Sequence, residues 1–177
     1  MNKIIKKLAI TSGLFIMANT YAAEINGNIN VSINIGTGCQ IMDSTTTGSI
    51  NNFGQLNFGS HPNLLSVINA NSVNMNATPG SLTLNCTTGT NYTVSLDDGQ
   101  HASSGQRRMS NGTDFIAYNL FKDNSRSTVW NKSSVVSGTS TAGNTNVDLT
   151  VYGQVPANAT TPTTGAYNDT VTMTVAW

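Results

Sequence analysis

Charge is scarce in this chain: 9% of its 177 residues are charged, and eight Lys and Arg balance eight Asp and Glu to a formal charge of zero. Three of the lysines, Lys3, Lys6 and Lys7, stand at the extreme N-terminus. The other cations are scattered, with Arg107 and Arg108 as the one adjacent pair. Phosphate recognition needs clustered Lys and Arg, so nucleic acid is excluded as a partner. The Gly/Ser-rich setting of that pair, Ser103 to Gly112, makes a solvated turn the expectation rather than an anion site. Histidine is scarcer still. His61 and His101 lie in loop-like stretches with no nucleophile motif beside them. Asp97 and Asp98 are adjacent, so on a strand they would face opposite ways, and before Gly99 they read as turn residues. No catalytic constellation is present, and neither a small-molecule substrate nor a cofactor is expected. Two cysteines and two histidines offer no metal-ligand spacing. Long apolar runs are missing as well: Leu8 to Met17 is about half the roughly 20 residues of a bilayer span, and no later segment is as apolar. Nor does any segment sustain the i, i+3, i+4, i+7 spacing of an amphipathic helix.

What is present begins with that short apolar run. It follows three lysines and precedes Thr20 and Ala22, small residues at the minus-three and minus-one places of a cleavage site. This is the layout of a secretory signal peptide over residues 1–22, cut after Ala22 or Ala23. Cleavage leaves five cations against eight acids, a mildly acidic single domain. Directly behind the cut stands "EINGNINVSINIGTGC", residues 24–39. Ile25, Gly27, Ile29, Val31, Ile33 and Ile35 take the odd positions, while Glu24, Asn26, Asn28, Asn30, Ser32 and Asn34 take the even ones. A side-chain period of two puts one set on each face of a strand. Shorter alternating runs recur at Ser49–Phe58, Ser81–Cys86, Tyr92–Leu96, Phe115–Phe121, Val147–Tyr152 and Thr170–Trp177. Turn signals such as Asp98-Gly99, Asn111-Gly112 and Thr78-Pro79-Gly80 separate them. Short strands so punctuated predict an all-β sandwich of immunoglobulin-like type. The Asn/Thr-rich composition also fits a disordered or repeat-built surface protein, but no fixed-period repeat is found and the alternation supplies a core. In an oxidising compartment, Cys39 and Cys86 read as a disulfide, worth roughly 4 kcal/mol at most in the chain-entropy model.

Seven stretches carry a family resemblance: "GTGC" (36–39), "FGQLNFG" (53–59), "LTLNC" (82–86), "YTVSLDDG" (92–99), "IAYNLFKD" (116–123), "VYGQVP" (151–156) and "GAYNDTVTMTVAW" (165–177). Together they resemble a spore coat protein U domain, and more narrowly the pilin subunits of archaic chaperone/usher pili. The resemblance implies an incomplete immunoglobulin-like sandwich that lacks its last strand, with an N-terminal donor strand that fills the groove of the next subunit. It implies three segments: a signal peptide at 1–22, a donor-strand extension at 23–34, and the pilin domain at 35–177. The donor face is then Ile25, Gly27, Ile29, Val31 and Ile33, while Ile35 to Met42 serves as the domain's own first strand, joined through a flexible Gly36–Gly38 link. Val171, Met173, Val175 and Trp177 of the closing strand face the groove and, before assembly, a chaperone. The implied partners are a periplasmic pilus chaperone, an outer-membrane usher and neighbouring pilin subunits in a homopolymer.

Three functions compete on this reading. The leading one is a structural pilus subunit, exported through the periplasm to the cell surface, that polymerises by donor-strand complementation and serves attachment and biofilm. A tip adhesin of the same system is second, although a tip is expected to lack the donor strand and to carry an additional domain. A non-polymerising secreted coat or matrix protein is third.

Overall fold

The computed structural model describes residues 28–42, 45–47, 50–73, 82–142, 146–160 and 162–177. The proposed signal peptide and the donor positions Ile25 and Gly27 lie outside them. By compactness the chain divides into Met1–Asn34 and Ile35–Trp177. Every regular element among the described residues is a strand. In chain order these are β1 (Cys39–Ile41), β2 (Thr45–Thr47), β3 (Ile50–Asn52), β4 (Gln55–Leu56), β5 (Ile68–Val73), β6 (Leu82–Cys86) and β7 (Asn91–Leu96). They continue with β8 (Arg108–Ser110), β9 (Phe115–Ala117), β10 (Asn119–Phe121), β11 (Val136–Thr139), β12 (Asn146–Leu149), β13 (Tyr152–Val155) and β14 (Met173–Ala176).

All pairings are antiparallel, in sheets ordered β1-β6-β12, β10-β13-β5-β4 and β11-β7-β14, with β2-β3 and β8-β9 as separate hairpins. One core gathers side chains from all three larger sheets, so the domain is an immunoglobulin-like β-sandwich. Its centre comes from the two most regular strands. Leu82, Leu84 and Cys86 point inward from β6, and Tyr92, Val94 and Leu96 from β7, while Asn, Thr and Ser take the alternate outward places. Trp130 fills the middle at 1% exposure and donates its indole N–H to the Val94 carbonyl at 2.9 Å. A buried Trp needs such an acceptor for its single polar atom. Cys39 and Cys86 face each other in the β1–β6 register and are disulfide-bonded, with Cα atoms 4.1 Å apart.

The strands differ from the expected ones in instructive places. β5 lies outside the alternating runs, because its inward face is Ile68, Ala70 and Ser72, too weakly apolar to register as one. Ser72 is buried there because it replaces a ladder bond: its N–H donates to the Val151 carbonyl at 2.8 Å, and its hydroxyl accepts the Val151 N–H at 3.0 Å. β11 hides its pattern in a glycine. Gly138 pairs across from Tyr92, and a Cβ on it would stand 2.9 Å from Tyr92 Cζ, so the aromatic ring supplies the bulk. Val147–Tyr152 splits into β12 and β13, which belong to different sheets, and Phe115–Phe121 splits into β9 and β10 at Tyr118. The domain's own first strand starts at Cys39 and not at Ile35, which is 75% exposed.

The basic pair is also corrected. Arg107 is no part of a solvated turn: it is 2% exposed, and its guanidinium donates to the carbonyls of Asp97 and Trp130, each at 2.9 Å. Burial lowers its pKa, opposed by the fields of Tyr118, Asp98, Asp97 and Asp169. Arg108 opens β8, donates to the His101 carbonyl at 2.9 Å and lies 4.2 Å from the Phe115 ring centroid. A Gly/Ser-rich flank does not report a buried cation whose partners are carbonyls remote in sequence.

Candidate functional site

Two features of the molecule are incomplete by the physics of β-structure. The first is the segment before β1. Residues 28–34 form no strand, and Ile29, Val31 and Ile33 are exposed by 89%, 90% and 87%. Isolated exposed aliphatics are ordinary, but a row of them on alternate positions is a ready-made apolar strand face with nothing upon it. Where the segment meets the domain, the link is fastened rather than loose. Thr87 donates its N–H to the Gly38 carbonyl at 2.9 Å, and its Oγ1 accepts the Gly38 N–H at 3.1 Å. Its hydroxyl also lies 3.3 Å from the Gly36 carbonyl. The expected flexible Gly36–Gly38 joint is therefore held on the residue next to Cys86, and neither glycine has a positive φ.

The second feature is a cleft of about 1340 Å³ within Ile35–Trp177. Leu56 of β4, Leu82 of β6, Leu96 of β7, Ile116 of β9 and Met173 of β14 all line it, so it reaches the core from both layers. Among the described residues two of these strands end larger sheets: β4 lies at an edge beside β5, and β14 at an edge beside β7. An edge strand presents a row of main-chain N–H and C=O groups on its open side. The side chains along the cleft match that picture. Leu56, Phe58, Met109, Ile116, Val171 and Met173 pack against the core yet are only half-buried, whereas residues deeper in the same core are sealed. Gly153 sets one wall, since a Cβ there would meet Leu56 Cδ2 at 2.8 Å and Phe58 Cζ at 2.9 Å.

Of the four closing-strand residues, Val171, Met173 and Val175 turn toward the core, with Val171 and Met173 lining the cleft. Trp177 stands apart: it lies beyond β14 and is 61% exposed. The strand itself is shorter than the alternation of Thr170–Trp177 implies: N-terminal to Met173 the continuous ladder gives way to main-chain bonds at Thr172 and Asn168 only, reinforced by side chains. Asp97 donates its N–H to the Thr172 carbonyl at 2.9 Å, and its Oδ1 accepts the N–H groups of Thr172 at 2.8 Å and Gly99 at 2.9 Å. Burial alone would raise the Asp97 pKa, but the hydrogen bonds from Thr172 and Gly99 win and hold it below the ordinary carboxylate value. Asp169, whose side chain is 2% exposed, accepts from the Tyr118 hydroxyl at 2.7 Å and from the Gln100 N–H at 2.9 Å, with His101 Nδ1 at 3.1 Å. Burial, then the bond to Asp169, pushes the Tyr118 pKa far above its ordinary value, so the phenol keeps its proton and donates. Gly99 has φ +80°, and a Cβ on it would overlap the Asp169 carboxylate.

Asp97 and Asp98 thus sit at a turn as expected, but their partners were not legible. His61 Nε2 lies 2.7 Å from the Phe58 carbonyl, and no group of three or more metal-ligating side chains occurs among the described residues.

A family model described as the Spore Coat Protein U domain matches residues 25–174. Among curated proteins, "Protein U" of Myxococcus xanthus is 32% identical over 164 residues, spanning 88% of this chain and 87% of its own. Among solved structures, the chain is similar to one in the crystal structure of the CsuC-CsuE chaperone-tip adhesion subunit pre-assembly complex from archaic chaperone-usher Csu pili of Acinetobacter baumannii. That match has a TM-score of 0.49 and 23% identity, and covers 80% of this chain but 40% of the other.

Proposed function

The chain belongs to the Spore Coat Protein U domain family, and from that premise we propose that it is a structural, non-enzymatic subunit of an archaic chaperone/usher pilus. In this reading residues 1–22 direct export, residues 23–34 are the donor strand, and residues 35–177 are the pilin domain. The observation that carries it is the pairing of two unfinished parts in one chain: an exposed row of alternate aliphatics at Ile29, Val31 and Ile33, and an open apolar cleft edged by β4 and β14.

A donor strand from a second copy would meet both needs of the cleft. Its main chain pairs with an open strand edge, and its odd side chains enter the apolar space. Each aliphatic side chain so buried contributes roughly 1.5–3 kcal/mol before ordering costs. Because donor and acceptor are different surfaces, the contact is heterologous and propagates into a fibre. A periplasmic chaperone would cover the cleft before assembly, an outer-membrane usher would export the polymer, and the fibre at the surface would serve attachment and biofilm. The family's name, Spore Coat Protein U domain, keeps a second reading, a secreted coat or matrix protein that does not polymerise. Heating purified surface material in SDS at graded temperatures separates the two. A donor-strand polymer gives a ladder of subunit multiples that collapses only on boiling, whereas a coat protein runs as a monomer throughout.

A further inference from the structure

The wall of the cleft between Asn168 and Thr172 has an unusual support. These residues line the cleft continuously, yet β14 begins only at Met173, where its ladder with β7 starts at the Met173–Leu96 pair. N-terminal to that pair the wall is gripped by two carboxylates. Asp97 extends the ladder by one place with its N–H and its Oδ1 on Thr172. Asp169 reaches the other way, from the wall into the 97–101 turn and the Tyr118 hydroxyl. The turn is itself tied to the core, because buried Arg107 donates to both the Asp97 and Trp130 carbonyls. At its far side the wall is joined to β8 by the reciprocal Ser110–Asn168 main-chain pair.

A buried carboxylate is retained at a cost unless its hydrogen bonds are made, and these are made by groups on both sides of a junction. An ordinary strand pairing would hold this wall equally well as far as the sandwich is concerned. Between the single main-chain bond at Thr172 and the main-chain pair at Asn168, side-chain bonds from Asp97 and Asp169 take the place of a continuous ladder and fix residues 168–172 at one spacing from the end of β7. We propose that Asp97 and Asp169 form a latch that keeps this wall in the shape that retains a donor strand, so that both act as positioning residues for the intersubunit joint. The inference rests on the donor-strand reading above.

The test uses the mature chain, a synthetic peptide of residues 24–35 as donor, and the variants Asp169→Asn and Tyr118→Phe. Asp169→Asn turns one acceptor oxygen into a donor facing donors, whereas Tyr118→Phe removes a single hydroxyl and keeps the ring. Gly138→Ala serves as comparator, because it disturbs the packing of Tyr92 from β11, the edge of the same sheet opposite β14. Hydrogen exchange at residues 171–175 is measured with and without peptide, and peptide release is timed. The latch requires amide exchange there and peptide release each to quicken by about tenfold in both variants, the scale of one lost hydrogen bond to a charged group. Gly138→Ala should lower the melting temperature and leave both readouts near wild type. Unchanged exchange at 171–175 overturns the latch whatever the peptide does. Faster exchange with wild-type peptide release reduces the two carboxylates to supports of the fold and overturns the positioning role. A wild-type chain that captures no peptide overturns the donor-strand reading and this role with it, while the exchange arm still reports whether the wall is latched.

Discussion

Val31 offers the cleanest separation of assembly from folding. In its own chain the side chain is 90% exposed, so truncating it removes nothing the subunit packs against. A surface change of this kind shifts stability by no more than about 0.5 kcal/mol. On the proposed reading the same residue becomes buried in a neighbour's cleft, where Val31→Ala would delete two methyl groups' worth of contact, about 1.6 kcal/mol at ~0.8 kcal/mol for each group. That is roughly a fifteenfold faster dissociation of one joint, compounded along a fibre. Val31→Asp and Ile33→Asp go further. A carboxylate placed among aliphatic side chains must be stripped of water at a cost of several kcal/mol or take up a proton. Asn30→Asp and Ser32→Lys sit on the other face and should be tolerated. The assay counts surface fibres by electron microscopy and, in parallel, measures the melting temperature and the amount of periplasmic subunit bound to chaperone. The odd-position variants should keep normal melting and normal chaperone complex while the SDS ladder shortens for Val31→Ala and vanishes for the two aspartates. Equal damage from odd and even positions would refute the reasoning, as would loss of the chaperone complex from the odd ones, since either result makes residues 25–34 an internal strand.

Four further expectations test the domain. Cys39→Ser should cost about 2–5 kcal/mol, the usual loss for a native disulfide in a small secreted domain, and should deplete periplasmic subunit; free thiol on the folded wild-type protein would contradict it. Thr90 has a buried hydroxyl with no partner among the described residues, so Thr90→Val should leave stability unchanged or raise it by up to about 1 kcal/mol, read as an unchanged or higher melting temperature, and a clear loss would reveal a hidden bond. Gly153→Ala should push Leu56 and Phe58 into the cleft and weaken the SDS ladder more than it lowers the melting temperature. Asp97 has a folded pKa below its ordinary 3.8, so the stability it contributes is complete above that value and is lost as pH falls through the lower folded one. The melting-temperature gap between wild type and Asp97→Asn should therefore narrow as the pH is taken below 3.8, and a gap that widens on acidification would reverse the sign.

How far the fold could be read in advance depended on where each strand keeps its apolar residues. β6 and β7 are buried on one face only and alternate cleanly, so the pattern located them to within a residue. β5 and β11 carry their burial in Ser72 and Gly138, whose environments are completed by Val151 and Tyr92 from other strands. No local pattern can report a side chain that is supplied from elsewhere. The same reason hid the Arg107, Asp97, Asp169 and Tyr118 cluster. Each residue is ordinary in its own segment, and only the approach of residues 97–101 to 168–172 makes them a unit. The cleft was legible only through family resemblance, because an unfilled space is a property of which strands do not pair. Trp130 gives no signal for a simpler reason: it lies in a loop between β10 and β11, where alternation says nothing about depth.

The shortage of charge bears on how such a subunit survives before assembly. Solubility in an exposed apolar state depends on charge repulsion, and with residues 1–22 cleaved, as the proposed reading has it, this chain carries only five cations and eight acids. It nonetheless presents three nearly bare aliphatics on one segment, and an open cleft between two edge strands on the domain. Natural sheet proteins blunt such edges with lysines, prolines or bulges. Here β14 is Met173-Thr-Val-Ala176 and β4 is Gln55-Leu56, with no charge and no proline on either. An edge left sticky is functional only if its exposure is brief, since the same surface would otherwise recruit any passing strand. On the proposed reading, the undefended edge therefore requires a partner that occupies the cleft from export until a neighbour's donor strand replaces it. A chaperone is then a physical requirement of the proposed fold and not merely an inherited feature of the pathway.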